Sequence, residues 1–231
     1  MSDYIQVTTP GGTFNALIVR PAEPVAPVVL VLQEIFGIND DMKATCQELA
    51  DRGYIAICPD LFWRQEPGLS LSHWTDAEWK KGMELYAAFD IDKGISDIGE
   101  TIGLARSLRG SSGKVGVMGY CLGGLMTFLT AARLGADAAV AYYPGGADKY
   151  VDEAGGIASP FMVHLGEEDE FISKDAQRAI KQVLADNPHA MAFSYPGCNH
   201  AFARHSGTHY DPAAADLANG RTAKFLDGHL R

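Results

Sequence analysis

The sequence predicts an α/β fold in which a mostly parallel central sheet is flanked by helices on both faces and opened by an N-terminal hairpin. Three observations carry this. Short apolar runs alternate with amphipathic stretches along the whole chain, the pattern of successive β-α units. One run, "APVVLVLQE" (26–34), is continuously apolar, as in a strand buried on both faces. And the distinctive polar residues Glu34, Cys121, Asp169 and His200 each follow such a run, which places them at the carboxyl ends of strands, where parallel sheets gather their chemistry.

In chain order, "YIQVTT" (4–9) and "TFNALIVR" (13–20), separated by "PGG", read as the antiparallel hairpin. The buried strand 26–34 follows, then a helix over 40–51 and a strand "GYIAICPD" (53–60). Pro, Gly and large aromatics in 61–75 predict a surface loop, and helices are expected over 76–88 and 91–108. "KVGVMGY" (114–120) is a strand running into a helix at 121–135 that Gly135 ends. Segments 138–146, 160–169 and 191–202 supply three more strands with their exit loops, and helices over 173–186 and 211–228 complete the chain. No internal repeat or low-complexity linker interrupts the order, and residues 1–231 are expected to form a single domain.

Composition narrows the function. Apolar residues make up 47% and charged residues 21%, a globular balance. A formal charge of −10 argues against nucleic acid, whose phosphates need clustered Lys and Arg. There is no apolar run long enough for a membrane-spanning helix and no basic-then-apolar leader at residues 1–12. The 4 cysteines, Cys46, Cys58, Cys121 and Cys198, form no C-x-x-C pair, which suits reduced thiols in the cytoplasm. A zinc site would need two or more close Cys/His pairs, and "CNH" (198–200) offers one. Neither a metal nor an organic cofactor is required, and a monomer is expected.

"G-Y-C-L-G" (119–123) carries the chemistry. It leaves a strand and opens a helix, the setting of a nucleophile elbow. The glycines allow a turn too tight for side chains, and the helix N-terminus favours a thiolate at Cys121. Asp169 and His200 follow on the exit loops of later strands, so the order is nucleophile, acid, base, as in α/β-hydrolases. His200 would take the thiol proton and Asp169 would fix its tautomer. Glu167, Glu168 and Glu170 compete with Asp169 for the acid, and His205 and His209 compete with His200, although only His200 directly follows a strand. Cys46, Cys58 and Cys198 read as inert core packing.

Together "QEIFGIND" (33–40), "PDLFWR" (59–64), "KVGVMGYCLGG" (114–124), "G-x-x-D" (166–169) and "HAFAR" (200–204) resemble the dienelactone hydrolase family, carboxymethylenebutenolidases of the α/β-hydrolase fold. The resemblance covers nearly the whole chain. It implies that cysteine is the ordinary nucleophile at this elbow, that Glu34 contacts the resting thiol and helps activate it, and that the backbone N–H groups of Ile35 and Leu122 form the oxyanion hole. It also implies a pair of arginines for a substrate carboxylate. Arg204 stands at one position; Trp79 stands at the other, and the adjacent Lys80 and Lys81 are not equivalent to a planar bidentate guanidinium, so an anionic lactone would be held by Arg204 alone or with a lysine. The expected activity is therefore hydrolysis of a small lactone or enol ester through an acyl-cysteine. The alternatives are a carboxylesterase or thioesterase whose pocket is lined by Trp79 and Phe36, with Tyr86 or Trp63, or a non-catalytic ligand-binding protein. A redox-sensing Cys121 is weaker, because no resolving cysteine lies near it in sequence.

Overall fold

The computed structural model describes residues 3–231. The chain divides into two compact units, one ending at Gly116 and the other running from Val117 to Arg231.

The first unit opens with β1 (Asp3–Thr9) and β2 (Gly12–Val19), an antiparallel hairpin that sets Val7 opposite Phe14. Then come β3 (Ala26–Leu32), α1 (Asp40–Asp51), β4 (Ile55–Pro59), α2 (Asp76–Ala87), α3 (Ile91–Ser107) and the start of β5 (Ser111–Tyr120). The strands lie in the order β1-β2-β4-β3-β5, with β3 and β4 parallel and β2 antiparallel to β4. Val28 to Leu32 are wholly buried, as their unbroken apolar run predicts. Each helix begins where a side chain can satisfy its free N–H groups: Asn39, Thr75 and Asp90 accept from Met42, Glu78 and Lys93.

Segment 61–75 is irregular as expected, but it does not lie loosely on the surface. Leu61, Phe62 and Leu69 are buried. Asp60 accepts from the N–H groups of Phe62 (3.0 Å) and Gly68 (2.7 Å), and burial pushes its carboxyl up. Asp97 of α3 pairs with the Arg64 guanidinium and accepts from Trp63 Nε1 at 2.9 Å. Hydrogen bonds to Asp60 at its start and to Asp97 of α3 hold what composition alone reads as a surface loop.

The second unit takes the end of β5 and adds α4 (Leu122–Arg133), β6 (Ala138–Tyr142), β7 (Phe161–Gly166), α5 (Lys174–Ala185), β8 (Ala190–Tyr195) and α6 (Pro212–Leu230). Its strands lie in the order β5-β6-β7-β8, and β7 is parallel to both neighbours. A kinked 3-10 stretch over Ala147–Gly156 was not expected from the sequence. Strand alternation fixes the layers. Phe161 of β7 meets Phe128 of α4, whereas His164, on the opposite face, meets Thr222 of α6. Helices therefore cover both faces of β7.

His164 is wholly buried at the centre of a polar network. Arg221 Nη1 donates to Tyr195 Oη (3.0 Å), and Tyr195 Oη lies 2.8 Å from His164 Nδ1. His164 Nε2 is 3.0 Å from Thr222 Oγ1, which is 2.6 Å from Tyr142 Oη. Tyr142 Oη donates to Asn219 Oδ1 at 2.9 Å. Since Tyr142 spends its hydrogen on Asn219, Thr222 must donate to Tyr142 and accept from Nε2–H, which leaves Nδ1 to accept from Tyr195. Every hydrogen has one direction, so the ring is held neutral in one tautomer. Burial, helped by the Arg221 charge, lowers its pKa to about 3.

Candidate active site

β5 ends at Tyr120 and α4 begins at Leu122, so Cys121 is the corner between them. Its backbone sits at φ 54°, ψ −112°, a conformation that is costly for a residue with a Cβ. The corner is pinned by its own N–H, which donates to Tyr142 O at 3.1 Å, and by Leu125 N–H on its carbonyl at 3.0 Å. A Cβ at Gly119 would lie 2.2 Å from Gly123 O, and one at Gly124 would lie 2.4 Å from Tyr142 O. Gly119 is thus required for the reason the motif suggests, and Gly124 for one the motif does not show. Where the other five α-helices have a side-chain cap, the thiol occupies the cap position of α4 without making a cap hydrogen bond. Cys121 is partly exposed, while Cys46, Cys58 and Cys198 are buried and all four are free.

Asp169 leaves β7 and His200 leaves β8, and the two meet: His200 Nδ1 lies 2.8 Å from Asp169 Oδ2. The other carboxylate oxygen accepts from Phe171 N–H (2.8 Å) and Ile172 N–H (2.9 Å). Both side chains are buried, whereas Glu168, Glu170, His205 and His209 are exposed and Glu167 is half-buried. Of the acid and base candidates in the sequence, Asp169 and His200 are thus the buried ones, and they are in contact.

Burial alone would push the His200 ring down. The negative charge of Cys121 and the hydrogen bond to Asp169 outweigh it, and the pKa is raised to about 10. With Nδ1 taken by Asp169, Nε2 is left for the thiol. Nε2 is buried with no hydrogen bond of regular geometry among the described residues, yet Cys121 acts on the ring both by charge and as a hydrogen-bonding neighbour. An ion pair of thiolate and imidazolium, backed by a carboxylate, can attack an electrophilic carbonyl carbon and pass a proton to a leaving group.

Three non-glycine residues among those described have positive φ: Cys121, Tyr143 (34°) and Ala201 (62°). All three are at this site. Tyr143 packs on the His200 ring with centroids 4.9 Å apart, and Ala201 follows His200. Phe171, half-exposed, meets the same ring edge-on at 5.0 Å. Strain stored at one place marks it as a place the fold holds in shape for a purpose.

Residues 14–230 match the Dienelactone hydrolase family. The carboxymethylenebutenolidase of Pseudomonas putida is 40% identical over 216 residues, 94% of this chain and 92% of its own. Carboxymethylenebutenolidase 1 of Cupriavidus pinatubonensis is 37% identical over 227 residues, 98% of this chain and 97% of its own. The chain belongs to the dienelactone hydrolase family. A solved structure from Klebsiella pneumoniae subsp. pneumoniae superimposes with a TM-score of 0.84 at 26% identity, covering 98% of each chain. This dienelactone hydrolase family member therefore has the α/β-hydrolase architecture expected from its sequence.

The remaining sequence candidates are placed as follows. Glu34, Ile35 and Phe36 are consecutive buried residues just after β3, in the first unit. Trp79, on α2, is half-buried; its Nε1 donates to His73 O at 2.9 Å and its ring stands edge-on to Phe36 at 5.0 Å. Leu122 is the first residue of α4, where the backbone N–H has no partner inside the helix. Arg204 is half-buried just beyond His200, and its N–H closes a turn onto Ala201 O at 3.2 Å. Sequence reasoning missed Tyr143, Phe171 and Asn199. Only Asn199 left any signal, its position beside the histidine. Among the described residues no helix is long and apolar enough to cross a membrane, and no group of three or more His, Cys, Asp or Glu side chains could hold a metal ion.

Proposed function

We propose that this chain hydrolyses a small lactone or enol ester, of the kind that opens to a maleylacetate-type acid, through an acyl-thioester on Cys121. The observation that carries the reading is the strained thiol at the start of α4, in the same unit as a buried histidine whose Nδ1 lies 2.8 Å from the Asp169 carboxylate. The Cys121 thiolate attacks the carbonyl carbon, and the oxygen that becomes negative is met by the Leu122 N–H; family resemblance assigns the second donor to Ile35 and the activation of the resting thiol to Glu34. Collapse re-forms the carbonyl and breaks the C–O bond, releasing an enolate that His200 protonates. Water then attacks the thioester, His200 takes its proton, and the thiolate leaves with the free acid as product.

A cysteine suits this substrate class. A thiolate is itself a good leaving group, so the tetrahedral adduct goes forward only when the departing oxygen leaves at least as readily. An enolate does; the alkoxide of an ordinary ester does not. Arg204 is assigned to the substrate carboxylate. Packing of Trp79 against Phe36 favours a second reading, an esterase or thioesterase with an apolar pocket in place of a second arginine.

Steady-state hydrolysis of cis- and trans-dienelactone, with p-nitrophenyl acetate beside them, separates the two. The lactone reading predicts efficient turnover and a rise in KM of roughly tenfold in Arg204→Ala, the weight of one charge-assisted contact. Cleavage of p-nitrophenyl acetate alone, dependent on Cys121, would support the esterase reading instead.

A further inference from the structure

The Asp169–His200 hydrogen bond joins two loops that leave different strands, so something must set their separation. Asn199 sits where it can. Its Oδ1 accepts from His200 N–H at 2.6 Å and from Glu170 N–H at 3.0 Å. One oxygen thus ties the backbone of the base to the residue after the acid. The amide orientation is forced, because two N–H donors need the oxygen and not the nitrogen.

Its Nδ2 then faces His209 Nε2 at 3.4 Å, while His209 Nδ1 lies 3.2 Å from His200 O and 3.6 Å from Glu170 Oε1. An acceptor at Nε2 makes Nδ1 the protonated nitrogen, and it donates to the His200 carbonyl. His200 is therefore held at both its N–H and its C=O. Below it, Gly166 lets β7 approach closely, since a Cβ there would lie 2.7 Å from Cys198 O and 2.8 Å from Asn199 O. The strained φ of 62° at Ala201 follows at once.

We infer that Asn199 is a positioning residue that holds the acid and base loops at hydrogen-bonding distance, with His209 orienting its amide. The inference rests on the proposed Cys121–His200–Asp169 reading. Asn199 does not touch the reacting atoms; it acts through His200 and Asp169.

The test is the rate of Cys121 alkylation by iodoacetamide as a function of pH, with Cys121→Ala as blank, alongside kcat and KM for p-nitrophenyl acetate. Asn199→Ala is expected to slow alkylation near neutral pH by roughly tenfold or more, to shift its pH profile, and to lower kcat with little change in KM. Asn199→Asp keeps the acceptor oxygen and is expected to recover most of the rate, which a general loss of stability would not permit. His209→Ala, at an exposed position, serves if Asn199→Ala does not fold, and is expected to slow alkylation by about threefold with the same shift in profile. Wild-type rates and profile in a folded Asn199→Ala, or in His209→Ala where that variant must stand in, would overturn the inference. If instead wild-type Cys121 alkylates no faster than free cysteine and is indifferent to His200→Ala, the reading of the triad falls, and this inference with it.

Discussion

Two histidines of the second unit, both nearly inaccessible to solvent, are driven in opposite directions: His164 to a pKa of about 3 and His200 to about 10. Burial disfavours charge on both, so burial does not explain the difference. Partners do. Around His164 every neighbour is neutral except Arg221, and each ring nitrogen already has the one hydrogen bond that a neutral imidazole can use there. Beside His200 stand Cys121 and the Asp169 carboxylate, and both favour a second proton on the ring. The first cluster is a closed polar core; in the second, His200 Nε2 has no hydrogen bond of regular geometry among the described residues. Tyr142 belongs to both, its phenol in the His164 network and its carbonyl on the Cys121 N–H.

Removing the carboxylate should break the contrast most. Asp169→Asn takes away the acceptor that fixes the His200 tautomer, and kcat/KM is expected to fall by roughly 10³–10⁴-fold with the fold intact by circular dichroism. The His200 pKa should drop below about 10, measurable by NMR titration of the ring. The sign for stability follows. His200 binds its proton more tightly folded than unfolded, so its contribution is complete below pH about 6.5 and is lost as pH rises through about 10. Asp169→Asn should weaken that alkaline loss.

At His164 the sign reverses. Its folded pKa is depressed, so its contribution is complete above pH about 6.5 and is lost as pH falls toward about 3. Denaturant titrations should show an excess acid slope of about 1.4 kcal/mol per pH unit in the wild type relative to His164→Phe. The variant should also lose about 1–3 kcal/mol for the Tyr195 O–H, which is left without its acceptor, while Thr222 still donates to Tyr142. A variant that keeps the wild-type acid slope would show that His164 is not the group being titrated.

The smallest effect tests the junction. Gly124→Ala puts a methyl 2.4 Å from Tyr142 O, and relief of that contact is expected to cost about 1–3 kcal/mol in urea denaturation. Because the same carbonyl holds Cys121, activity should fall further than stability does; equal loss in both would separate the corner from the network.

The strands and helices were legible in the sequence because their periodicity is local: α1 falls on the expected residues 40–51, and the hairpin, β3 and α4 lie within a few residues of expectation. That Cys121, Asp169 and His200 lie on the turns and loops after β5, β7 and β8 was legible because each follows an apolar run in the sequence. What escaped depends on partners distant in sequence. "FMVHLG" shows a histidine in an apolar strand, but nothing in it reveals Tyr195, Thr222 and Arg221. Segment 61–75 has the composition of a surface loop, and only Asp97 on a later helix shows why it is tied down. The 3-10 stretch at Ala147–Gly156 is short and kinked at Tyr150, without the repeat that marks a longer helix.

The central claim is that Cys121 carries the acyl group. Intact-mass spectrometry of protein quenched in acid during turnover of p-nitrophenyl acetate or a slowly released lactone tests it directly. The wild type is expected to gain the mass of one acyl group, lost on incubation at neutral pH, and Cys121→Ala to gain none. No adduct in the wild type under burst conditions, or the same adduct in Cys121→Ala, would contradict the account.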